Sequence, residues 1–134
     1  MKIELISLAF LSFFFVLAWL PISVAKRRFY GLKYLLSNRS GKNLPELPAW
    51  ALRCENAYEN LKAFFPIFAT SIFILSQLHL SDSVTESCAV IFVLCRIAHY
   101  VFYGLGMIKS RSAVWMISML ANFILLAKIF ANFV

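Results

Sequence analysis

The chain has 134 residues, of which 62% are hydrophobic and 14% charged, against roughly 45–50% apolar residues in an ordinary soluble domain. With a mean hydropathy of +0.81, this composition excludes most soluble folds and intrinsic disorder, since too few polar residues remain to cover a water-facing surface. Thirteen Lys and Arg against six Asp and Glu leave a net charge of +7, which on a soluble protein would suggest a nucleic-acid partner. On so apolar a chain the charge sets membrane orientation instead, and no nucleic-acid partner is expected.

A helix needs about 20 mostly apolar residues to cross the bilayer core. Four stretches of the single domain 1–134 qualify, at about 5–25, 57–80, 84–107 and 113–134. The sequence therefore predicts an all-α, multi-pass integral membrane protein built as a bundle of four transmembrane helices. The first stretch, Leu5 to Ala25, has no charge. Its end, Ser23-Val24-Ala25, resembles a signal-peptide cleavage site, but the cluster Lys26-Arg27-Arg28 follows the apolar run instead of preceding it, which predicts a retained helix. The second stretch starts polar near Pro48 and is uncharged from Ala63 to Leu80 apart from His79, with Pro66 inside it. Proline removes one helical hydrogen bond, so a kink is expected there.

The third stretch, from Val84, carries Arg96 and His99 in an apolar run, and Gly104 and Gly106 mark its end. The fourth, Ala113 to Val134, is interrupted only by Lys128, near enough to an end to snorkel. The connections differ in charge. Lys26, Arg27, Arg28, Lys33, Arg39, Lys42 and Arg53 lie in segment 26–53, opposed there by Glu46 alone. A short acidic turn follows at Leu80-Ser81-Asp82-Ser83, and a basic turn at Lys109-Ser110-Arg111. Four spans put both basic connections on one side, which the positive-inside rule makes cytoplasmic. The glycosylation sequon Asn38-Arg39-Ser40 then faces the wrong compartment.

Cys54, Cys88 and Cys95 form no C-x-x-C pair, so neither a disulfide framework nor a structural zinc site is suggested. His79 and His99 have no partner at ligand spacing, and no metal is expected.

Charged groups inside a span cost a few kcal/mol and tend to face the bundle interior. On the second helix Arg53, Asn56, Asn60 and Ala63 fall on one face, beside a stripe of Glu55, Glu59 and Lys62 in which Glu59 and Lys62 can pair locally. On the third helix Arg96, His99 and Tyr103 share a face, and Arg111 follows in the next turn. A guanidinium, an imidazole and a phenol together suit an anionic ligand, since Arg grips carboxylates and a nearby cation lowers the pKa of a bound thiol. The alternative is that Arg96 pairs with Glu55 or Glu59 and only joins two helices.

The stretch from Arg53 to Phe68, RCENAYENLKAFFPIF, resembles the helix-two signature R-x-x-R-A-x-x-N-x-x-E-x-x-P-x-F of the MAPEG family, the membrane-associated proteins in eicosanoid and glutathione metabolism. Arg96-Ile97-Ala98-His99-Tyr100-Val101-Phe102-Tyr103, followed by Arg111, resembles the family's helix-three signature. Leu47-Pro48-Ala49-Trp50 and the pair Arg27-Arg28 also fit, so the likeness spans nearly the whole chain. The resemblance implies a homotrimer in a lipid bilayer, with glutathione as co-substrate held between subunits near the cytoplasmic surface and a lipophilic substrate entering from the membrane. It places Arg27, Arg28, Arg53, Asn56, Asn60, Arg96 and His99 as glutathione-binding residues, and Tyr103 and Arg111 as catalytic ones, with Arg111 stabilising the thiolate.

Two positions depart from the pattern. Asn56 stands where the family has a second Arg, and Ala63 where it has Glu. Losing one partner of a desolvated charged contact typically costs about 2–5 kcal/mol. Glu55 and Glu59 lie within about one helical turn of the expected face and could replace the missing carboxylate. Three functions follow: a glutathione transferase or peroxidase, a related trimer that binds another anionic amphiphile, or a structural membrane subunit in which Arg96 is fully paired with the acids of the second helix.

Overall fold

The computed structural model describes residues 2–40 and 43–133. Lys42 of the basic segment, and Val134 at the end of the fourth expected span, lie outside the described residues. Six helices follow in order: α1 (Ile3–Ala18), α2 (Leu20–Tyr30), α3 (Leu32–Leu35), α4 (Ala49–Gln77), α5 (Ser83–Gly104) and α6 (Ile108–Phe130). Among the described residues there is no strand.

Three rods are long and apolar enough to cross a membrane: α1 with α2 (Ile3–Tyr30), α5 and α6. Between 22% and 33% of each apolar window is buried within the chain, so most of that surface needs an apolar solvent. α4 is not among the three, because Arg53, Glu55, Glu59 and Lys62 occupy its first half. It nevertheless continues as one helix through Pro66, whose carbonyl accepts the Thr70 hydroxyl at 2.8 Å.

The first rod is broken only at Trp19, two residues before Pro21. A proline cannot donate to the carbonyl four residues back and its ring crowds it, so one helix ends and the next restarts with Pro21 in its first turn. α2 then runs to Gly31, which takes φ 80°. This corrects the reading of 26–53 as one long connection: Lys26, Arg27 and Arg28 are helical.

α5 is the central element and packs on α1, α4 and α6. Its buried residues, Thr85, Cys88, Ala89, Phe92, Val93, Arg96, His99 and Tyr100, recur every three or four positions and form one stripe. Phe92 stacks on Phe68 of α4 with centroids 4.2 Å apart, and Leu11, Leu61, Ile72 and Leu125 close around the pair. Tyr100 donates to the Ala18 carbonyl at 2.6 Å, at the point where α1 ends. Phe15 is sandwiched between Tyr58 and Phe65, which ties α1 to α4.

Polar locks hold the two ends of the bundle. Asp82 caps α5 by accepting from the backbone N–H of Val84 and Thr85, and its other oxygen accepts from Lys128 Nζ at 2.6 Å. Lys128 is therefore anchored to the acidic turn. Glu4, just ahead of the uncharged first stretch, is 2% exposed and accepts from the Thr85 hydroxyl at 2.7 Å. At the opposite end Arg53 Nε donates to the Gly104 carbonyl at 3.0 Å, and its guanidinium lies across Gly106.

Two stability outcomes follow. The hydrogen bond from Lys128, then that from the Thr85 N–H, hold the Asp82 carboxyl below its ordinary pKa of 3.8. A lowered folded-state pKa contributes stability that is full above the ordinary value and is lost as pH falls through the lowered one. Thermal melts of Asp82→Asn and the parent should differ by a constant amount at neutral and mildly acidic pH, and converge in strong acid. Gly106 takes φ 78°, while a Cβ there would meet Arg53 only at 3.6 Å or beyond. Backbone strain is then the main cost, and Gly106→Ala should destabilise by about 1–2 kcal/mol, read as a lower melting temperature.

Candidate functional site

The face shared by Arg96, His99 and Tyr103 on α5 meets Asn60 of α4 and the start of α6. A groove of about 370 Å³ lies there, lined by Asn60, His99, Tyr103, Arg111, Ser112, Trp115 and Met116. That volume is in the range of small-molecule sites. Met116 is 64% exposed, so the groove opens on the outer surface of the single chain. A second groove of about 400 Å³, lined by Ile3, Glu86, Ser87, Val90 and Ile91, has no cation or aromatic ring on its walls.

Each wall is fixed by a definite contact. Arg96 is 1% exposed and does not line the groove. Its Nη2 donates to both the backbone oxygen and the Oδ1 of Asn60, at 3.0 and 2.8 Å. With Oδ1 engaged, the Asn60 amide nitrogen is the group left to donate elsewhere. The Arg96 guanidinium also stands 5.3 Å from the Phe64 ring, while Nε and Nη1 have no acceptor among the described residues. His99, 4% exposed, meets the Tyr103 ring edge-on at 5.6 Å. Arg111 lies 4.2 Å over the other partner of this chain of contacts, the Tyr103 ring, close enough for a cation–π interaction. Trp115 packs edge-to-face on Phe64 at 6.0 Å, joining α6 to α4 above Arg96.

The acids do not enter this site. Lys26 Nζ meets Glu55 Oε1 at 2.5 Å, and Lys62 meets Glu59 at 2.5 Å. The alternative in which Arg96 pairs with Glu55 or Glu59 is therefore not what the chain adopts. Both carboxylates are paired with lysines, and neither lines the groove. The groove lining contains one cation and no anion, which suits an anionic ligand.

Of the residues singled out in the sequence, Asn60, His99, Tyr103 and Arg111 come together in the groove, and Arg96 supports it through Asn60. Arg53 is spent on the end of α5. Asn56 is exposed on α4, and Arg27 and Arg28 are exposed on α2, with no hydrogen bond to the groove residues. Ser112, Trp115 and Met116 complete the lining and lie outside the polar faces that the sequence marks. Trp115 stands four residues after Arg111, one turn along the same helical face, and that spacing is the signal that could have found it. Among the described residues no group of three His, Cys, Asp or Glu could hold a metal.

No curated protein matches the chain. The MAPEG family model matches residues 6–131, almost the full length and both stretches that build the groove, and the chain belongs to the MAPEG family.

Proposed function

We propose that the protein is a membrane-embedded glutathione transferase or peroxidase acting on lipophilic electrophiles. One observation carries this reading: the Arg111 guanidinium over the Tyr103 ring, in a groove whose other polar walls are Asn60, His99 and Ser112 and which holds no carboxylate. Glutathione brings two carboxylates and a thiol that reacts as the thiolate. Arg111 stabilises that thiolate and Tyr103 holds it. The Asn60 amide, aimed by Arg96, and His99 orient the peptide. The apolar co-substrate reaches the sulfur past Trp115 and Met116, on the exposed side.

In this reading the chain forms a homotrimer of four-span subunits. α4 is the fourth span, with its charged first half at the cytoplasmic end alongside the basic connections. The groove opens outward, so a neighbouring subunit can close it and supply Arg27 or Arg28.

Asn56 and Ala63 favour a second reading, in which the same trimer has lost glutathione and takes another anionic amphiphile. A calorimetric titration of the purified protein with glutathione in detergent separates the two. Saturable heat together with thiolate absorbance is expected, and neither at millimolar glutathione would leave the second reading. An opposite charge within contact distance lowers an acid's pKa by about 1–3. Arg111→Ala should therefore cut the conjugation rate at neutral pH about ten- to a thousandfold and move the rise of rate with pH to higher pH. A rate and pH profile unchanged by that substitution would remove Arg111 from the mechanism.

A further inference from the structure

A second polar cavity lies at the elbow between α2 and α3 and shares no residue with the groove. It holds about 230 Å³ and has an apolar wall of Trp19, Ile22 and Leu35 and a polar wall of Ser23, Lys26 and Arg39. Its two cations are not equivalent. Lys26 is already balanced by Glu55. Arg39 is not, and the chain bends sharply to place it. Its φ is 55°, a left-handed conformation unusual for a residue with a side chain. Three hydrogen bonds hold it there: Tyr34 Oη donates to its carbonyl at 2.9 Å, its N–H donates to Ser37 Oγ at 3.2 Å, and its Nε donates to the Leu35 carbonyl at 3.4 Å. Nη1 and Nη2 have no partner among the described residues. From Lys26 to Arg39 the sequence has five basic residues and no acidic one.

The depth of the cavity follows from helix geometry. At about 1.5 Å per residue, a core of about 30 Å takes about 20 residues, which counted from Ile3 ends near Ile22. Trp19 then sits at the interface, where indole rings concentrate, and Lys26 sits about one turn beyond, at headgroup level. An apolar wall facing the core and an unbalanced guanidinium facing the headgroups match a molecule that is apolar at one end and anionic at the other.

We propose that this cavity is a binding site for an anionic phospholipid. Arg39 and Ser23 take the phosphate, and Trp19, Ile22 and Leu35 pack on the glycerol and first acyl carbons. The site anchors the α2–α3 elbow to the membrane surface, and its occupancy does not depend on glutathione.

The full chain, purified in neutral detergent, is titrated with short-chain phosphatidylglycerol, short-chain phosphatidylcholine and inorganic phosphate, with bound molecules counted by native mass spectrometry. Phosphatidylglycerol should bind at one per chain and more tightly than phosphatidylcholine. Arg39→Gln should weaken it about fivefold, the usual contribution of one basic residue to an anionic lipid surface. Lys33→Gln, exposed and outside the cavity, should leave it nearly unchanged. Arg39 is also exposed, so its substitution tests binding without threatening the fold. Equal binding of the two lipids, or equal effects of the two substitutions, would overturn the proposal. Phosphate binding as tightly as phosphatidylglycerol would show that the apolar wall contributes nothing, and would overturn the lipid assignment in favour of a free anion.

Discussion

A guanidinium carries five donors and cannot shed its charge, so burying one in an apolar bundle is affordable only where acceptors are waiting. Arg96 finds two of them on one residue, the backbone oxygen and side-chain oxygen of Asn60, and a ring face in Phe64. That arrangement sets the register of α4 against α5, because sliding either helix by one turn would strand the charge. A hydrogen bond from a charged group contributes about 1.5–3 kcal/mol, and here it holds a buried guanidinium. The stacked Phe68 and Phe92 then fall opposite each other, and the groove opens one turn farther along. Asn60 belongs to both the packing and the site, so the orientation of its amide is a consequence of the fold.

The distribution of acids is the second constraint. Glu55, Glu59 and Asp82 are each engaged by a lysine from a different place: Lys26 of α2, Lys62 of the same helix, and Lys128 of α6. Pairs this exposed contribute little to stability. Two of the three, Glu55 and Glu59, lie on α4 beside the residue that holds Arg96, and their lysines occupy them there, while Asp82 serves the other end of the bundle. Arg111 is left to interact with the Tyr103 ring, which binds a cation weakly and does not neutralise it. The site therefore keeps a positive charge that a ligand can use.

Much of this was legible in the sequence because it depends only on periodicity and solvent. The apolar excess, the length of the stretches and the i, i+3, i+7 spacing of Arg96, His99 and Tyr103 put three groups on one face whatever α5 packs against. The signatures around Arg53–Phe68 and Arg96–Arg111 carried the family for the same reason, since both are patterns along single helices. Pro21 was equally readable as a helix interruption, yet uncharged composition alone made 5–25 look like one unbroken rod.

Partner choice was legible only where it is local: Glu59 and Lys62, three residues apart on one helix, pair as their spacing allows. Glu55 was also within sequence reach of the α4 face that meets Arg96, but its cation depends on how α2 packs on α4, which the sequence does not display. The same holds for Arg53, which shares a helical stripe with Asn60 but ends on the Gly104 carbonyl, and for Trp115, which joins the groove only because α6 lies against α5. The sequence by itself determined an all-helical membrane chain of the MAPEG family and the faces its polar residues occupy, because those follow from 3.6 residues per turn and from lipid as solvent. Beyond the local Glu59–Lys62 pair, the tertiary structure alone decided which charges neutralise one another and which stay available, because that depends on distances of a few ångströms between residues remote in the chain.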